Sequence, residues 1–312
     1  MMNPLVSVVV PNYNHAAYLQ QRIDSILNQT YTNIELILLD DCSSDDSKLI
    51  IESYRSHKAV AHIVYNEQNS GTTFKQWDRG INLARGEWIW IAESDDWCEP
   101  TLLETLIEGI AHDTCISYCQ SILCYSSGDI WAPVRTHRYS QSYVGNEFMK
   151  TQMLFELPIY NASMTIFKKS IFHSIDKEFT TYKFCGDWLF WILAARHGNI
   201  TVSGKYLNYF RKHDKDVSGK AYKEGLFYTE YVKIMSYLVN QSLVTVEEKQ
   251  SLMLQKYAKF IDDKQLNPQF MIHIKAQLLK ETGNYFYSTF AYRCLGFRKY
   301  ISALLFKIKQ RE

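Results

Sequence analysis

No two cysteines of this chain form a CxxC pair. The seven, Cys42, Cys98, Cys115, Cys119, Cys124, Cys185 and Cys294, are odd in number and irregularly spaced, which argues against a disulfide framework. Cys115, Cys119 and Cys124 lie close together, but their strand-like surroundings read as buried thiols rather than a metal site. No run of about 18 apolar residues occurs, so no spanning helix is expected. Met1-Met2-Asn3-Pro4 shows no basic stretch before a cleavable apolar segment, and a cytosolic, reducing setting is expected. An excess of one charge is missing too: 34 Lys and Arg against 33 Asp and Glu leave a net +1, with no push toward nucleic acid. Glycine is absent where two nucleotide-binding classes need it. The first apolar segment is followed by Asn12-Tyr13-Asn14-His15. That is neither the GxGxxG of a dinucleotide-dependent oxidoreductase nor the glycine-rich basic loop of a sugar nucleotidyltransferase.

What is present is an ordinary globular composition, 46% apolar and 21% charged, in a length that buries one large core or one core with an appendage. Aromatics are abundant at 14%; most of them belong to the core, although such side chains also suit sugar faces.

The N-terminal hundred residues alternate. Leu5 to Val10 is a β-branched apolar run ending at Pro11, the pattern of a strand buried on both faces of a parallel sheet. Leu19, Ile23, Ile26 and Leu27 then recur at helical spacing. A second buried strand, Ile34 to Leu39, ends in Asp40-Asp41; Asp45 is placed to cap a helix through Ile50 and Tyr54. A third strand spans Ala61 to Tyr65, a helix Thr73 to Ala84, and a fourth strand Trp88 to Ala92, running into Glu93-Ser94-Asp95-Asp96. This alternation predicts an α/β fold, a mostly parallel, Rossmann-like nucleotide-binding sheet flanked by helices, with right-handed crossovers. Beyond Pro100, Leu102, Leu103, Leu106, Ile107 and Ile110 form a helical stripe. Cys115 to Phe172 reads as strands and loops of mixed character, and Gly204 to Phe210 as a final strand. Past about residue 222 only helical patterns remain. The reading is a catalytic domain over 1–220, with halves of about 1–100 and 101–220, and a C-terminal helical region over 221–312. No internal repeat occurs.

Ligands of such sheets bind outside the carboxyl ends of the strands. Three strand ends are polar here: Pro11-Asn12-Tyr13, Asp40-Asp41 and Asp95-Asp96. Carboxylates at the end of a buried strand need a positive partner. A hard divalent cation, Mg²⁺ or Mn²⁺, takes carboxylate oxygens and keeps open positions for phosphates. The competing reading is that Asp95 and Asp96 only turn the chain toward the next helix.

Val6-Ser7-Val8-Val9-Val10-Pro11-Asn12-Tyr13-Asn14, Asp40-Asp41-Cys42-Ser43-Ser44-Asp45, Asn69-Ser70-Gly71, Gly80-Ile81-Asn82-Leu83-Ala84-Arg85-Gly86-Glu87 and Glu93-Ser94-Asp95-Asp96 stand in one order. In that order they resemble family 2 glycosyltransferases of the A-type nucleotide-sugar fold, over roughly residues 5–215. The resemblance implies an inverting, metal-dependent transfer from a nucleotide-sugar, by default a UDP-sugar, to a hydroxyl of a glycan or lipid-linked acceptor, with Mn²⁺ or Mg²⁺ as cofactor. It implies that Pro11, Asn12 and Tyr13 line the base pocket, that Asp41 (or Asp40) accepts from the base imide, and that Lys75 is a basic contact. It further implies Asp95 at the ribose or metal, Asp96 on the metal, and His213 joining the metal or diphosphate. Asp187 matches the acid that serves as catalytic base, although its usual Glu neighbour is Gly186 here; an N-cap role is the alternative. The segment before Gly80 reads Gln76-Trp77-Asp78-Arg79, so the family's usual arginine contact does not carry over. Bacterial surface-polysaccharide synthesis is the expected setting. A processive synthase is not expected, since spanning helices and a Gln-x-x-Arg-Trp signature are missing. A non-catalytic sugar-binding protein is the different-class alternative.

Near the C-terminus, Phe297, Ile301, Leu304, Leu305 and Ile308 share a helical face flanked by Arg298, Lys299, Lys307 and Lys309. This stripe suits either packing on the catalytic domain or peripheral contact with an anionic membrane.

Overall fold

The structure is a computed structural model; it describes residues 3–282 apart from 135, 214–216, 262, 264 and 265. The C-terminal amphipathic stripe and Cys294 lie outside the described residues. The chain divides into two compact units, Met1–Asp214 and Lys215–Glu312.

The first unit opens with β1 (Val6–Asn12), α1 (Ala16–Leu27), β2 (Ile34–Asp40), α2 (Ser47–Ser53), β3 (Val60–Tyr65), α3 (Thr73–Leu83) and β4 (Trp88–Ile91). The two-residue β5 (Trp97–Cys98), α4 (Leu102–Glu108), the long β6 (Thr114–Tyr125), β7 (Ile130–Val134), β8 (Gln141–Val144) and the single turn α5 (Gly145–Phe148) follow. The unit closes with β9 (Thr165–Lys168), α6 (Lys169–Ser174), α7 (Gly186–Ala194) and β10 (Asn199–Lys212).

All strands join one sheet in the order β3-β2-β1-β4-β9-β6-β10-β5, with β7 beside β6 and β8 beside β10. β1, β2, β3, β4, β6 and β10 run one way; β5, β7, β8 and β9 run against them. β1 and β4 are buried along their whole length, in keeping with their mostly apolar sequences; the buried Ser7 of β1 donates to Glu35. α3 lies flat on β1 because residue 80 is glycine: a Cβ there would stand 2.2 Å from Val9 Cγ1.

β1 outlasts its expected end and includes Pro11, opposite Leu39 of β2. Proline is tolerated because of which way its missing N–H would face. Val9 O accepts from Ala92 N on the β4 side, and Asn12 O accepts from Asp41 N on the β2 side. Pro11 therefore turns its nitrogen toward β4, where pairing has already stopped at Val9↔Ile91. The chain runs from β1 out to β2 and β3, then returns to β4 on the other flank. The crevice between the diverging ends of β1 and β4 is thus the topological switch point.

β10 is longer than the Gly204–Phe210 pattern predicts. Its register against β6 shifts between Val202 and Tyr206 and again before Asn208, which breaks the alternation that marks a strand in sequence.

The second unit is helical: α8 (Val217–Lys223), α9 (Leu226–Asn240), α10 (Val246–Ile261) and α11 (Pro268–Glu281). The expected boundary near 220 falls inside α8. Lys256 Nζ lies 4.2 Å from the Tyr231 ring centroid, and Lys249 pairs with Glu281 at 2.6 Å. No helix among the described residues is long and apolar enough to cross a membrane.

Candidate active site

The loops leaving β1, β2, β3, β4 and β10 gather at the carboxyl edge of the sheet. Two of them lock together at the β1–β2 end. Asn14 adopts a left-handed conformation (φ 56°), donates its backbone N–H to Ser43 Oγ at 2.9 Å and accepts from Ser44 N at 2.8 Å. The N-cap of α2 is Asp46 rather than the expected Asp45, whose carboxylate accepts from Ser47 N and Ala16 N and joins the N-termini of α2 and α1. Asn12 is buried and donates to Asp40 Oδ2 at 2.8 Å, while Tyr13 is about half exposed on the crevice rim.

Asp41 is occupied differently from expectation. Its oxygens accept from Asn66 Nδ2 (2.5 Å), Ser70 N (2.9 Å), Ser70 Oγ (2.7 Å) and Gln76 Nε2 (2.9 Å). A carboxylate ringed by this many donors is the anchor of the 66–72 loop and the first turn of α3, with little capacity left for a base imide. Lys75, in that first turn, is exposed, with its ammonium donating to Ser70 O at 3.0 Å. Arg79, also on α3, donates to Asn66 Oδ1.

At the end of β4 the acids are crowded and less well served. Glu93 accepts from Trp77 Nε1 at 3.0 Å; burial, with the Asp95 charge behind it, pushes its carboxyl up to about 8. Asp96 is 1% exposed, and the same causes push it up to about 7. Its Oδ2 accepts from Asn161 Nδ2 (2.5 Å) and its Oδ1 from Arg211 N (3.1 Å). Asp96 therefore ties β4 to β10 and to the segment before β9, with a hydrogen bond on each of its oxygens. Asp95 points the other way. Burial opposes its charge, yet the His213 hydrogen bond and the nearby His15 and His213 hold it below the usual carboxylate range. His213 Nε2 lies 3.1 Å from Asp95 Oδ2.

The nearby arginines do not neutralise these acids directly. Arg211 is stacked over Tyr18 and Trp97, and its guanidinium donates to Asp95 O, Ser126 O and Gln21 Oε1. Arg22 is fully buried behind the cluster, donates Nε to Glu93 O, and leaves both terminal nitrogens unbonded.

His15, Asp95 and His213 form the one group of three metal-capable side chains among the described residues, with ligand atoms all within 4.8 Å of one another. Adjacent ligands on one small divalent cation stand about 3 Å apart, given bonds of about 2.1 Å. The 3.1 Å between His213 and Asp95 meets that spacing, so the residues present fit a divalent cation. The sequence reading named Asp95 and His213 and passed over His15. The sequence carries only a weak signal: His15 stands at the N-cap of α1, where Ser, Thr, Asp or Asn is preferred.

Asp187 is half-buried in the first turn of α7, and its Oδ1 accepts from Trp188 N at 2.8 Å. The missing glutamate before it has a steric cause. A Cβ on Gly186 would come 2.5 Å from both Phe179 O and Phe74 Cδ2. The α7 N-terminus thus packs against the first turn of α3, next to the loop that Asp41 anchors.

A separate hollow lined by His112, Lys168, Ser170 and His197 lies at the amino ends of β6 and β10, away from the carboxyl edge.

Residues 7–176, more than half of the chain, match the family model described as glycosyl transferase family 2. The chain belongs to that family. Among curated relatives, a glycosyltransferase GlyG of Streptococcus pneumoniae serotype 4 is 39% identical over 35% of this chain and 36% of its own length. A putative teichuronic acid biosynthesis glycosyltransferase, TuaG of Bacillus subtilis, is 33% identical over 36% of this chain and 44% of its own. The matched region thus spans less than half the length of either relative. The crystal structure of S. aureus TarS 1-349 superimposes with a TM-score of 0.58 at 22% identity, covering 80% of this chain and 69% of that one. This likeness shows the fold, a mixed α/β sheet flanked by helices. TarS 1-349 has also been solved with UDP and with UDP-GlcNAc.

Proposed function

We propose that this chain is an inverting glycosyltransferase that moves a sugar from a UDP-sugar to an acceptor hydroxyl on a glycan or lipid-linked glycan, in bacterial surface-polysaccharide assembly. The observation that carries the reading is the convergence of Asp95, His213 and His15 beside the switch-point crevice of a family 2 fold. The TarS complexes with UDP and UDP-GlcNAc support the donor class, and the teichuronic acid relative supports the setting.

In this reading the base lies in the crevice beside Pro11, Asn12 and Tyr13, whose half-exposed ring offers a stacking face. The 66–72 loop and the N-terminal half of α3, held by Asp41, form the opposing wall, with Lys75 and Arg79 as its cations. Asp95 and His213 hold Mn²⁺ or Mg²⁺, which when bound supplies Lewis-acid neutralisation of the diphosphate. Asp96 holds the two halves of the sheet in register beneath them. Asp187 takes the proton from the acceptor hydroxyl as that oxygen attacks the anomeric carbon. The bond from that carbon to the diphosphate oxygen breaks, and attack from the opposite face inverts the centre with no covalent enzyme intermediate. The basic stripe at 297–309 suggests peripheral contact with an anionic membrane carrying the acceptor; loss of vesicle binding on truncation near residue 290 would test it.

The deciding experiment is release of nucleoside diphosphate from a panel of nucleotide-sugars, with and without chelator. Turnover of a UDP-sugar that stops with chelator and returns with Mn²⁺ supports the reading. Binding without turnover of any donor, metal present, would favour a sugar-binding protein.

A further inference from the structure

We propose that His15 is a third protein ligand of the cation site, making it a two-imidazole, one-carboxylate set selective for borderline transition cations over Mg²⁺. The proposal rests on the cation reading above and adds a residue and a metal preference to it.

Three observations place His15 there. Its ligand nitrogen is within 4.8 Å of those of Asp95 and His213. Its Nδ1 lies 2.8 Å from Ser94 Oγ, and Ser94 is 1% exposed and fixed in the turn between Glu93 and Asp95. With the proton on Nδ1 donated to Ser94, the lone pair resides on Nε2. This is the usual support for a ligating imidazole, whose other nitrogen donates to a neighbouring oxygen. The third is rigidity. The loop carrying His15 is bonded on both sides, Asn14 to Ser43 and Ser44, and Ala16 to Asp45. Tyr18 stands beside both rings, 6.3 Å from His15 and 5.2 Å from His213, and the two imidazoles meet edge to face at 5.5 Å.

The chemistry follows from the donor set. Carboxylate and water suit Mg²⁺, whereas imidazole nitrogen shifts preference toward the later first-row cations. One carboxylate with two imidazoles should therefore favour Co²⁺ most clearly over Mg²⁺, with Mn²⁺, lowest in the first-row affinity order, gaining less.

The test titrates full-length protein with Mn²⁺ and Co²⁺, alone and with UDP. Bound Mn²⁺ is followed by electron paramagnetic resonance, with pulsed detection of imidazole nitrogen, and Co²⁺ by visible absorption. His15→Ala should weaken both by at least about tenfold, since losing only a supporting hydrogen bond already weakens metal sites about that much. It should also remove one of two coupled imidazoles, with Mg²⁺ affinity changed by less. His15→Gln, which keeps a polar side chain for Ser94, should behave like the alanine variant and serves if that one folds poorly. Unchanged Mn²⁺ and Co²⁺ binding in both His15 variants, with loss in Asp95→Ala, overturns the role of His15 and leaves the cation reading intact. Unchanged binding in Asp95→Ala and His213→Ala as well overturns the cation reading itself.

Discussion

Two strands of the sheet end in adjacent acids, and the structure treats them in opposite ways. At the end of β2, Asp40 and Asp41 are ringed by neutral donors: Asn12, Ser43, Asn66, Ser70 and Gln76. Their charges are dispersed over hydrogen bonds and the loops they hold are finished. At the end of β4, three carboxylates share a buried volume whose arginines are directed at carbonyls or left unbonded. Two of the three, Glu93 and Asp96, are pushed up toward neutral pH, and the third faces two imidazoles. Acids whose oxygens are all taken by donors, Asp41 and Asp96, build architecture; Asp95, whose carboxylate faces two imidazoles, marks where a ligand belongs.

The sharpest way to break that contrast is to exchange Asp95 and Asp96. Asp95→Asn should lose Mn²⁺ binding and cut UDP-sugar turnover to background, while circular dichroism stays native. Asp96→Asn should keep Mn²⁺ affinity within about threefold, because both of its oxygens serve the scaffold. Asp96→Ala removes a buried acceptor, strands the Asn161 amide and the Arg211 N–H, and should lower the melting temperature, at about 1–3 kcal/mol per stranded group. The opposite pattern, with Asp96→Asn metal-free and Asp95→Asn active, would return the ligand role to Asp96.

Asp187 lies at neither strand end, so it separates chemistry from binding. Asp187→Asn should retain UDP and metal affinity and lower kcat by roughly 10²–10⁴-fold, the usual span for loss of a general base. Isothermal titration alongside steady-state kinetics checks both halves. Near-normal kcat would leave Asp187 as the cap its bond to Trp188 N resembles.

β1, β2 and β4 were legible because each is buried along almost its whole length and reads as a mostly apolar run; β3, half-buried at the sheet edge, was legible from its β-branched residues alone. β5, of two residues, carries no pattern of its own and exists through pairing with Asn208 and Tyr209. β9 lies between antiparallel neighbours, which no local periodicity announces. The site divided along the same line. Asp95, Asp187 and His213 could be named from motifs. That Asp95 rather than Asp96 meets His213 depends on how the end of β10 is laid beside β4's loop, a long-range arrangement that sequence order does not encode. The saturation of Asp41 likewise needs Ser70 and Gln76, some 30 residues on, folded back over it.

Asp41 supplies the next test of the contrast. If it is architecture, Asp41→Ala should destabilise the first unit by on the order of 3 kcal/mol, because Ser70 N, Asn66 and the buried Gln76 lose a charged acceptor together. The donor KM should rise through loss of the loop, with kcat less affected. Denaturant melts at fixed pH measure the first effect. A variant that melts like the parent and merely loses UDP affinity would show that Asp41 faces the base after all.

The smallest effect is expected at Lys75, which sits on the wall that Asp41 holds. Its ammonium is exposed and meets only the Ser70 carbonyl, a contact that solvent largely replaces. Lys75→Ala should change stability by no more than about 0.5 kcal/mol. A side chain whose charge points along the crevice rim still raises the local concentration of an anionic donor. That contribution is screened by salt, since the Debye length is about 10 Å at 0.1 M. The donor KM of Lys75→Ala should therefore rise about threefold in low-salt buffer and converge on the parent value at high salt. A rise that is large and indifferent to salt would mean direct contact with the diphosphate. The first turn of α3 would then hold the diphosphate directly rather than only attract it, and the contrast between the two strand ends would narrow to their carboxylates alone.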